Sequence, residues 1–225
     1  MAFRASKTDD IKNETINLNL LVLGDQYVGK TSVLERYVNN IFKLNYLVTI
    51  GMDKRFKKLS INGHDINLFI TDTAGQERFR SLAKMFYKNA NGILLGFSLT
   101  SKETFESVSY WIKQIYENCD KGKIGIILFG NKCDVKEEIQ VDEKQIEEIK
   151  KEYNIAYFKT SAKENINIKE AFEYLTKLVI INQKLGKSLG LGESPKIEDI
   201  NIDFKENQKL EVNNTNKRKK KKKCC

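Results

Sequence analysis

Residues 18–31 read LNLLVLGDQYVGKT, an apolar run that stops at a glycine-rich turn and gives way to a lysine and a threonine. Leu18–Leu23 is short and nearly continuously apolar, as a strand buried on both faces would be, and residues 30–39 carry the spacing of an amphipathic helix. Between them, Gly24-Asp25-Gln26-Tyr27-Val28-Gly29-Lys30-Thr31 matches G-x-x-x-x-G-K-[ST] in the setting that pattern requires, a strand before and a helix after. The glycines let backbone N–H groups curl round a diphosphate, and the helix points the positive end of its dipole at the anion. In such a loop Lys30 neutralises the β- and γ-phosphates and the Thr31 hydroxyl binds Mg²⁺. The candidate phosphate site is therefore Gly24, Asp25, Gln26, Tyr27, Val28, Gly29, Lys30, Thr31 and Ser32.

The same alternation continues outward. Candidate strands are 18–23, 55–61, 66–71, 92–98, 124–130 and 155–159, with helical patterns near 30–39, 80–89, 102–118, 142–153 and 167–183. Apolar strands alternating with helices predict a parallel sheet covered on both faces. The exception is the pair 55–61 and 66–71, which flanks Asn62-Gly63 and so reads as an antiparallel hairpin, with His64, the single histidine, at its turn. The expected fold is α/β, a six-stranded, mostly parallel sheet with one antiparallel strand and five flanking helices. Beyond residue 184, Gly186, Gly190, Gly192 and Pro195 break the periodicity. Three segments follow: an extension over 1–14, a domain over 15–183, and a flexible tail over 184–225.

Two further stretches carry chemistry. Asp72-Thr73-Ala74-Gly75-Gln76-Glu77 closes the second hairpin strand. There Asp72 can hold Mg²⁺ through water, Gly75 can offer an unobstructed amide to a terminal phosphate, and Gln76 can orient a water for in-line attack. Asn131-Lys132-Cys133-Asp134 follows the strand over 124–130. The Asp134 carboxylate can accept two hydrogen bonds, from guanine N1–H and the N2 amine. Adenine offers neither donor and would leave a carboxylate unpaired, which discriminates strongly between the two bases. Ser161-Ala162-Lys163, after the last strand, supplies a loop whose Ala162 amide can meet guanine O6.

Composition narrows the setting. The chain has 225 residues, 40% hydrophobic and 31% charged, enough for a core. No apolar run approaches the roughly 20 residues of a spanning helix, and the first 15 residues lack the apolar segment of a secretory signal. The net charge of +9 is concentrated at 217–223, KRKKKKK; taking these seven from the 39 basic residues leaves 32 against 30 acidic ones. That argues against a nucleic-acid-binding face and for one electrostatic appendage. Cys119 and Cys133 read as small packed side chains, while Cys224 and Cys225 follow the basic run.

Taken together, these motifs resemble the Ras superfamily of small GTPases, and within it the Rab family, over residues 15–183. Rab-like features are Arg78-Phe79-Arg80 after Gln76, Phe86-Tyr87-Lys88-Asn89-Ala90, and the paired Cys224-Cys225. The resemblance implies a GTP/GDP switch that hydrolyses GTP, with Gln76 and Lys30 catalytic. It implies that Thr49 completes the Mg²⁺ shell with Thr31 and Asp72, that Phe42 lies against the guanine ring, and that the Lys132 stem stacks over it. It also implies an exchange factor, a GTPase-activating protein, effectors, a GDP-dissociation inhibitor, and lipidation of Cys224 and Cys225 through an escort protein and a geranylgeranyl transferase. A monomer would then sit on the cytoplasmic face of an intracellular membrane, cycling with cytosol and regulating vesicle traffic. One lipid gives only marginal membrane affinity, so two cysteines behind a basic run that meets an anionic membrane surface are a sufficient anchor.

Departures from the family pattern are local. Gln26 stands where small GTPases carry glycine, serine or alanine, close to Gln76, and predicts slow intrinsic hydrolysis with normal GTP loading; the alternative is a hydrolysis-impaired GTP-binding scaffold. Lys54 and Thr71 replace two aromatics of the patch that many Rab effectors grip, and Phe86 replaces a tyrosine, so such effectors should bind poorly. Trp111 falls in the 102–118 helical pattern and reads as core.

Overall fold

The apolar runs form strands and the periodic segments form helices. The structure, a computed structural model, describes residues 15–44, 52–62, 64–73 and 86–183. In chain order these are β1 (Ile16–Gly24), α1 (Lys30–Asn39), β2 (Met52–Ile61), β3 (His64–Thr73), β4 (Gly92–Ser98), α2 (Lys102–Glu106), α3 (Val108–Asn118), β5 (Gly125–Asn131), α4 (Glu143–Tyr153), β6 (Ala156–Lys159) and α5 (Ile168–Asn182). The six strands make one sheet in the order β2-β3-β1-β4-β5-β6. Every neighbouring pair is parallel except β2 with β3.

This order places the site. From β1 the chain adds β3 on one side and β4 on the other, so the sheet's order reverses at β1, where ligands of open parallel sheets bind. The loops after β1, β3, β5 and β6 all leave the same edge. Every residue of β4 and β5 is buried, which explains why their sequences are continuously apolar instead of alternating. Tyr37 of α1 stacks on Phe172 of α5, ring centroids 3.9 Å apart, and joins the two helices on one face. On the other face Phe105, Val108, Ile112 and Ile115 pack with Ile93, Leu95 and Phe97.

The hairpin forms as expected, with Ile61 opposite His64 and Asn62 in the left-handed region (φ 50). His64 heads β3 and is half-buried instead of sitting in the turn. The segment read as one helix over 102–118 is divided at Ser107, whose hydroxyl donates to the Glu103 carbonyl at 3.2 Å, a local bond that bends a helix. Of the helix expected over 80–89, residues 86–89 are helical and the rest lie outside the described residues. The extension over 1–14 and the tail over 184–225 also lie outside them. Cys119 and Cys133 are free thiols, half-buried and buried.

Candidate functional site

β1 ends at Gly24 (φ 133), where a Cβ would come within 2.2 Å of the Gly96 carbonyl oxygen of β4, so no larger residue fits. The turn to α1 then passes through two left-handed residues, Tyr27 (φ 64) and Gly29 (φ 93). A side chain at Gly29 would meet Asn131 Nδ2 at 2.5 Å. Tyr27 is 60% exposed and adopts a conformation costing a residue with a Cβ about 1–2 kcal/mol, a departure the sequence reading did not foresee. Val28, the next residue, is buried. Gly29 is the N-cap of α1 and brings no capping side chain, so none stands between an anion and the positive end of this helix.

Lys30 opens α1 with its residue only 6% exposed, and its Nζ donates to the Asp25 carbonyl oxygen at 2.8 Å. Burial pushes this amine down to about 8, against the pull of Asp72 and Asp25. Thr31 Oγ1 donates to Asp72 Oδ2 at 2.5 Å. Asp72 is fully buried near the end of β3, and burial pushes its carboxyl up despite Thr31 and Lys30. Its second oxygen, Oδ1, is buried without a hydrogen-bond partner. A polyphosphate would supply the anion that Lys30 lacks, and a divalent cation the charge that Asp72 lacks. An orphaned carboxylate oxygen beside a hydroxyl is the donor set a hard cation takes. Among the described residues no group of three or more His, Cys, Asp or Glu side chains could hold a metal ion, so Mg²⁺ held here would need donors beyond Thr31 and Asp72. Ser32 follows, half-buried in the first turn of α1.

The second half of the site is bound to the first through Asn131, the last residue of β5. Its Nδ2 donates to the Val28 carbonyl at 2.8 Å, and its Oδ1 accepts from the Ala162 amide at 3.2 Å. The carboxamide thus clips the phosphate loop to the loop after β6. Lys132 follows in the left-handed region (φ 67), half-buried, its amine pushed below the ordinary lysine value by burial. Asp134 Oδ1 accepts from Ser161 Oγ at 2.6 Å, and Lys163 Nζ lies 3.9 Å from Oδ2. Each carboxylate oxygen still has lone-pair capacity for a donor on a base. The 161–166 loop is closed by paired backbone bonds between Ser161 and Ile166.

The structure therefore brings together Gly24 through Ser32, Asp72, Asn131, Lys132, Asp134 and Ser161 through Lys163. Phe42 sits half-buried beyond α1 with the Arg36 guanidinium 6.0 Å from its ring. Thr49, Gly75, Gln76, Cys224 and Cys225 lie outside the described residues. Two side chains escaped the sequence reading. Arg36 donates through Nε to the Ala162 carbonyl (2.8 Å) and through Nη2 to the Lys163 carbonyl (3.1 Å), pinning the base loop to α1. Trp111, expected as core, does pack half-buried against it, and its indole N–H also donates to Asp25 Oδ1 at 2.8 Å, tethering the phosphate loop to α3. No local pattern announces either contact, since both join residues more than 80 positions apart.

Comparison with known proteins decides the family. A family model described as "Ras family" matches residues 19–181. "Ras-related protein Rab-13" of Rattus norvegicus is 36% identical over 188 residues, covering 84% of this chain and 92% of that protein. "Ras-related protein Rab-8A" of Bos taurus is 40% identical over 176 residues, 78% of this chain and 83% of that one. "Ras-related protein Rab-15" of Homo sapiens is 37% identical over 169 residues, 75% and 79%.

The chain belongs to the Ras family.

It is a small GTPase of the Rab type, a guanine-nucleotide-binding enzyme that hydrolyses GTP, built on the Ras-like α/β fold. In this GTPase no helix among the described residues is long and apolar enough to cross a membrane.

Proposed function

We propose that this GTPase is a membrane-anchored switch, and that its domain, 15–183, holds GTP or GDP with Mg²⁺ between the loop at 24–32 and the loops at 131–134 and 161–163. The observation that carries this reading is the Asn131 clip, which sets a phosphate cradle and a guanine-selecting carboxylate, Asp134, on one hydrogen-bonded frame. Lys30 and the first N–H groups of α1 take the phosphates. Thr31 and Thr49, with Asp72 through water, hold Mg²⁺, which neutralises phosphate charge when bound. Phe42 and the Lys132 stem cover the base, and the Ala162 amide meets its O6. Gly75 contacts the terminal phosphate and Gln76 orients the attacking water. Gln26, half-buried in the loop, keeps intrinsic hydrolysis slow, so an activating protein sets the timing.

Partner affinity follows the nucleotide: the γ-phosphate holds the segments around Thr49 and Gly75 in one arrangement, and its loss releases them. Exchange factor, activating protein, effectors, GDP-dissociation inhibitor, escort protein and geranylgeranyl transferase are the partners of such a cycle. Residues 184–225 carry the basic run, and Cys224 and Cys225 the lipids, at the cytoplasmic face of an intracellular membrane, where the switch regulates vesicle traffic. Two experiments test the reading. GDP and GTP, not ATP, should raise the melting temperature in the presence of Mg²⁺. Cys224→Ser with Cys225→Ser should release the protein from membranes, and undiminished pelleting would refute the anchor.

A further inference from the structure

Arg36 lies in the last turn of α1, half-buried, and its guanidinium makes four hydrogen bonds, all to neutral oxygens. Nε and Nη2 donate to the successive carbonyls of Ala162 and Lys163 at 2.8 and 3.1 Å. Nη1 donates to the carbonyl and the side-chain oxygen of Asn40, the left-handed residue that ends α1, at 3.1 and 3.2 Å. The Lys163 carbonyl belongs to the same planar peptide as the Glu164 N–H, so fixing one fixes the other. That N–H donates to Ser161 Oγ at 3.0 Å, and the hydroxyl of Ser161, a fully buried residue, donates to Asp134 Oδ1 at 2.6 Å. A continuous chain of donors, all pointing the same way, thus runs from the guanidinium on α1, through one peptide and one hydroxyl, to the carboxylate that follows β5.

We propose that Arg36 is a positioning residue for base selection, acting on Asp134 through the Lys163–Glu164 peptide and Ser161. Given a guanine site at Asp134, as proposed for this domain, the carboxylate must keep its oxygens turned toward N1–H and the N2 amine. A serine hydroxyl rotates and can donate only once. With its oxygen occupied by the Glu164 N–H, the Ser161 proton is directed to Oδ1, and the carboxylate is held by a donor that does not turn away. Each bond in such a chain polarises the next, and the charged guanidinium at its head strengthens the series. Two adjacent carbonyls need two N–H groups in one plane, which the guanidinium fork supplies and a single ammonium does not. Lys163 Nζ, 3.9 Å from Oδ2, is too far for a hydrogen bond and leaves that oxygen to the base. The loop has anchors of its own, the Ala162 N–H on Asn131 Oδ1 and the paired backbone bonds between Ser161 and Ile166. Loss of Arg36 therefore falls on the aim of Asp134 more than on the fold.

The probes are GDP and inosine diphosphate, which keeps N1–H and O6 but lacks the N2 amine. Competition of each against N-methylanthraniloyl-GDP on the full chain with Mg²⁺ gives a preference for GDP, about 10-fold in the parent for one lost charged hydrogen bond. Arg36→Met keeps the stem and loses the fork. It should cut GDP affinity roughly 10-fold and inosine diphosphate affinity only about 3-fold, so that the preference shrinks to about 3-fold. Ser161→Ala should shrink it likewise, and adding Arg36→Met to Ser161→Ala should shrink it no further, since the chain is already broken. Arg36→Lys, which can reach one carbonyl of the two, should retain an intermediate preference, and it is the readout if Arg36→Met does not fold. Equal loss of affinity for both nucleotides in Arg36→Met, with the preference intact, overturns the proposal and leaves the arginine a structural brace. So does a parent-like preference in Arg36→Lys, or additive effects of Arg36→Met and Ser161→Ala on the preference. A parent that binds GDP and inosine diphosphate equally overturns it as well. Failure of the parent to bind GDP at all refutes instead the guanine site on which the role of Arg36 rests.

Discussion

Asn131→Ala removes one carboxamide and should weaken both halves of the site together. In the parent chain that group donates to the Val28 carbonyl at 2.8 Å and accepts from the Ala162 amide at 3.2 Å, both buried. Alanine leaves the carbonyl and the amide without partners, at about 1–3 kcal/mol each. Partial rescue by water entering from the loops brings the total to roughly 3 kcal/mol, a large share of the 5–15 kcal/mol that holds a domain together. For a domain of this size the midpoint should fall by roughly 6–12 °C, measured by circular dichroism without nucleotide. Asn131→Asp keeps the acceptor for Ala162 but turns an anion toward the Val28 carbonyl, and should destabilise comparably. Gly29 provides a cycle, since a Cβ there meets Asn131 Nδ2 at 2.5 Å on a backbone at φ 93. Gly29→Ala should be destabilising alone and less than additive with Asn131→Ala, because the shorter side chain relieves the clash but not the backbone strain. A fall under 2 °C for Asn131→Ala, or strict additivity in the cycle, would refute the clip.

Other outcomes follow from the same geometry. Asp134→Asn should lower GDP affinity by about three to four orders of magnitude, and xanthosine diphosphate, which presents a carbonyl where guanine has an amine, should recover part of it in equilibrium binding. Trp111→Phe keeps the packing but loses the 2.8 Å bond to Asp25; a half-exposed acceptor can turn to water, so stability should drop only about 1 kcal/mol while GDP dissociates several-fold faster in a chase experiment. Burial pushes the Cys119 thiol up to about 11 from 9.0. Its thiolate at pH 8 is then roughly 100-fold scarcer than an ordinary thiol's, and iodoacetamide labelling read by mass spectrometry should be correspondingly slow. The unfolded chain ionises this thiol near 9.0, so its contribution to stability is whole below that pH and is lost as pH rises through about 11.

What could be read from the sequence follows from the range of the interactions. β4 and β5 were legible because burial on both faces demands unbroken apolar runs, and the hairpin because Asn62-Gly63 supplies a two-residue turn. The positions of Lys30 and Thr31 at the start of α1 and of Asp72 near the end of β3 were legible because the apolar runs before them mark where β1 and β3 lie. The break at Ser107 was not, since a serine suits a helix until its hydroxyl turns back on the Glu103 carbonyl. Arg36 and Trp111 were not, because an arginine on α1 and a tryptophan on α3 acquire their partners only when the sheet is closed. Tyr27 was read for its place in a motif, whereas its left-handed backbone is a property of the turn.

We propose one hydrogen-bonded frame that pairs a phosphate cradle at Lys30 and Thr31 with a guanine-selecting carboxylate at Asp134. Isothermal titration calorimetry of the nucleotide-free full chain with GDP and with ADP, each with Mg²⁺, tests it most directly. GDP should bind stoichiometrically and saturably and ADP at least 1,000-fold more weakly, a gap of about 4 kcal/mol. Equal heats from the two nucleotides, or none from GDP, would contradict it.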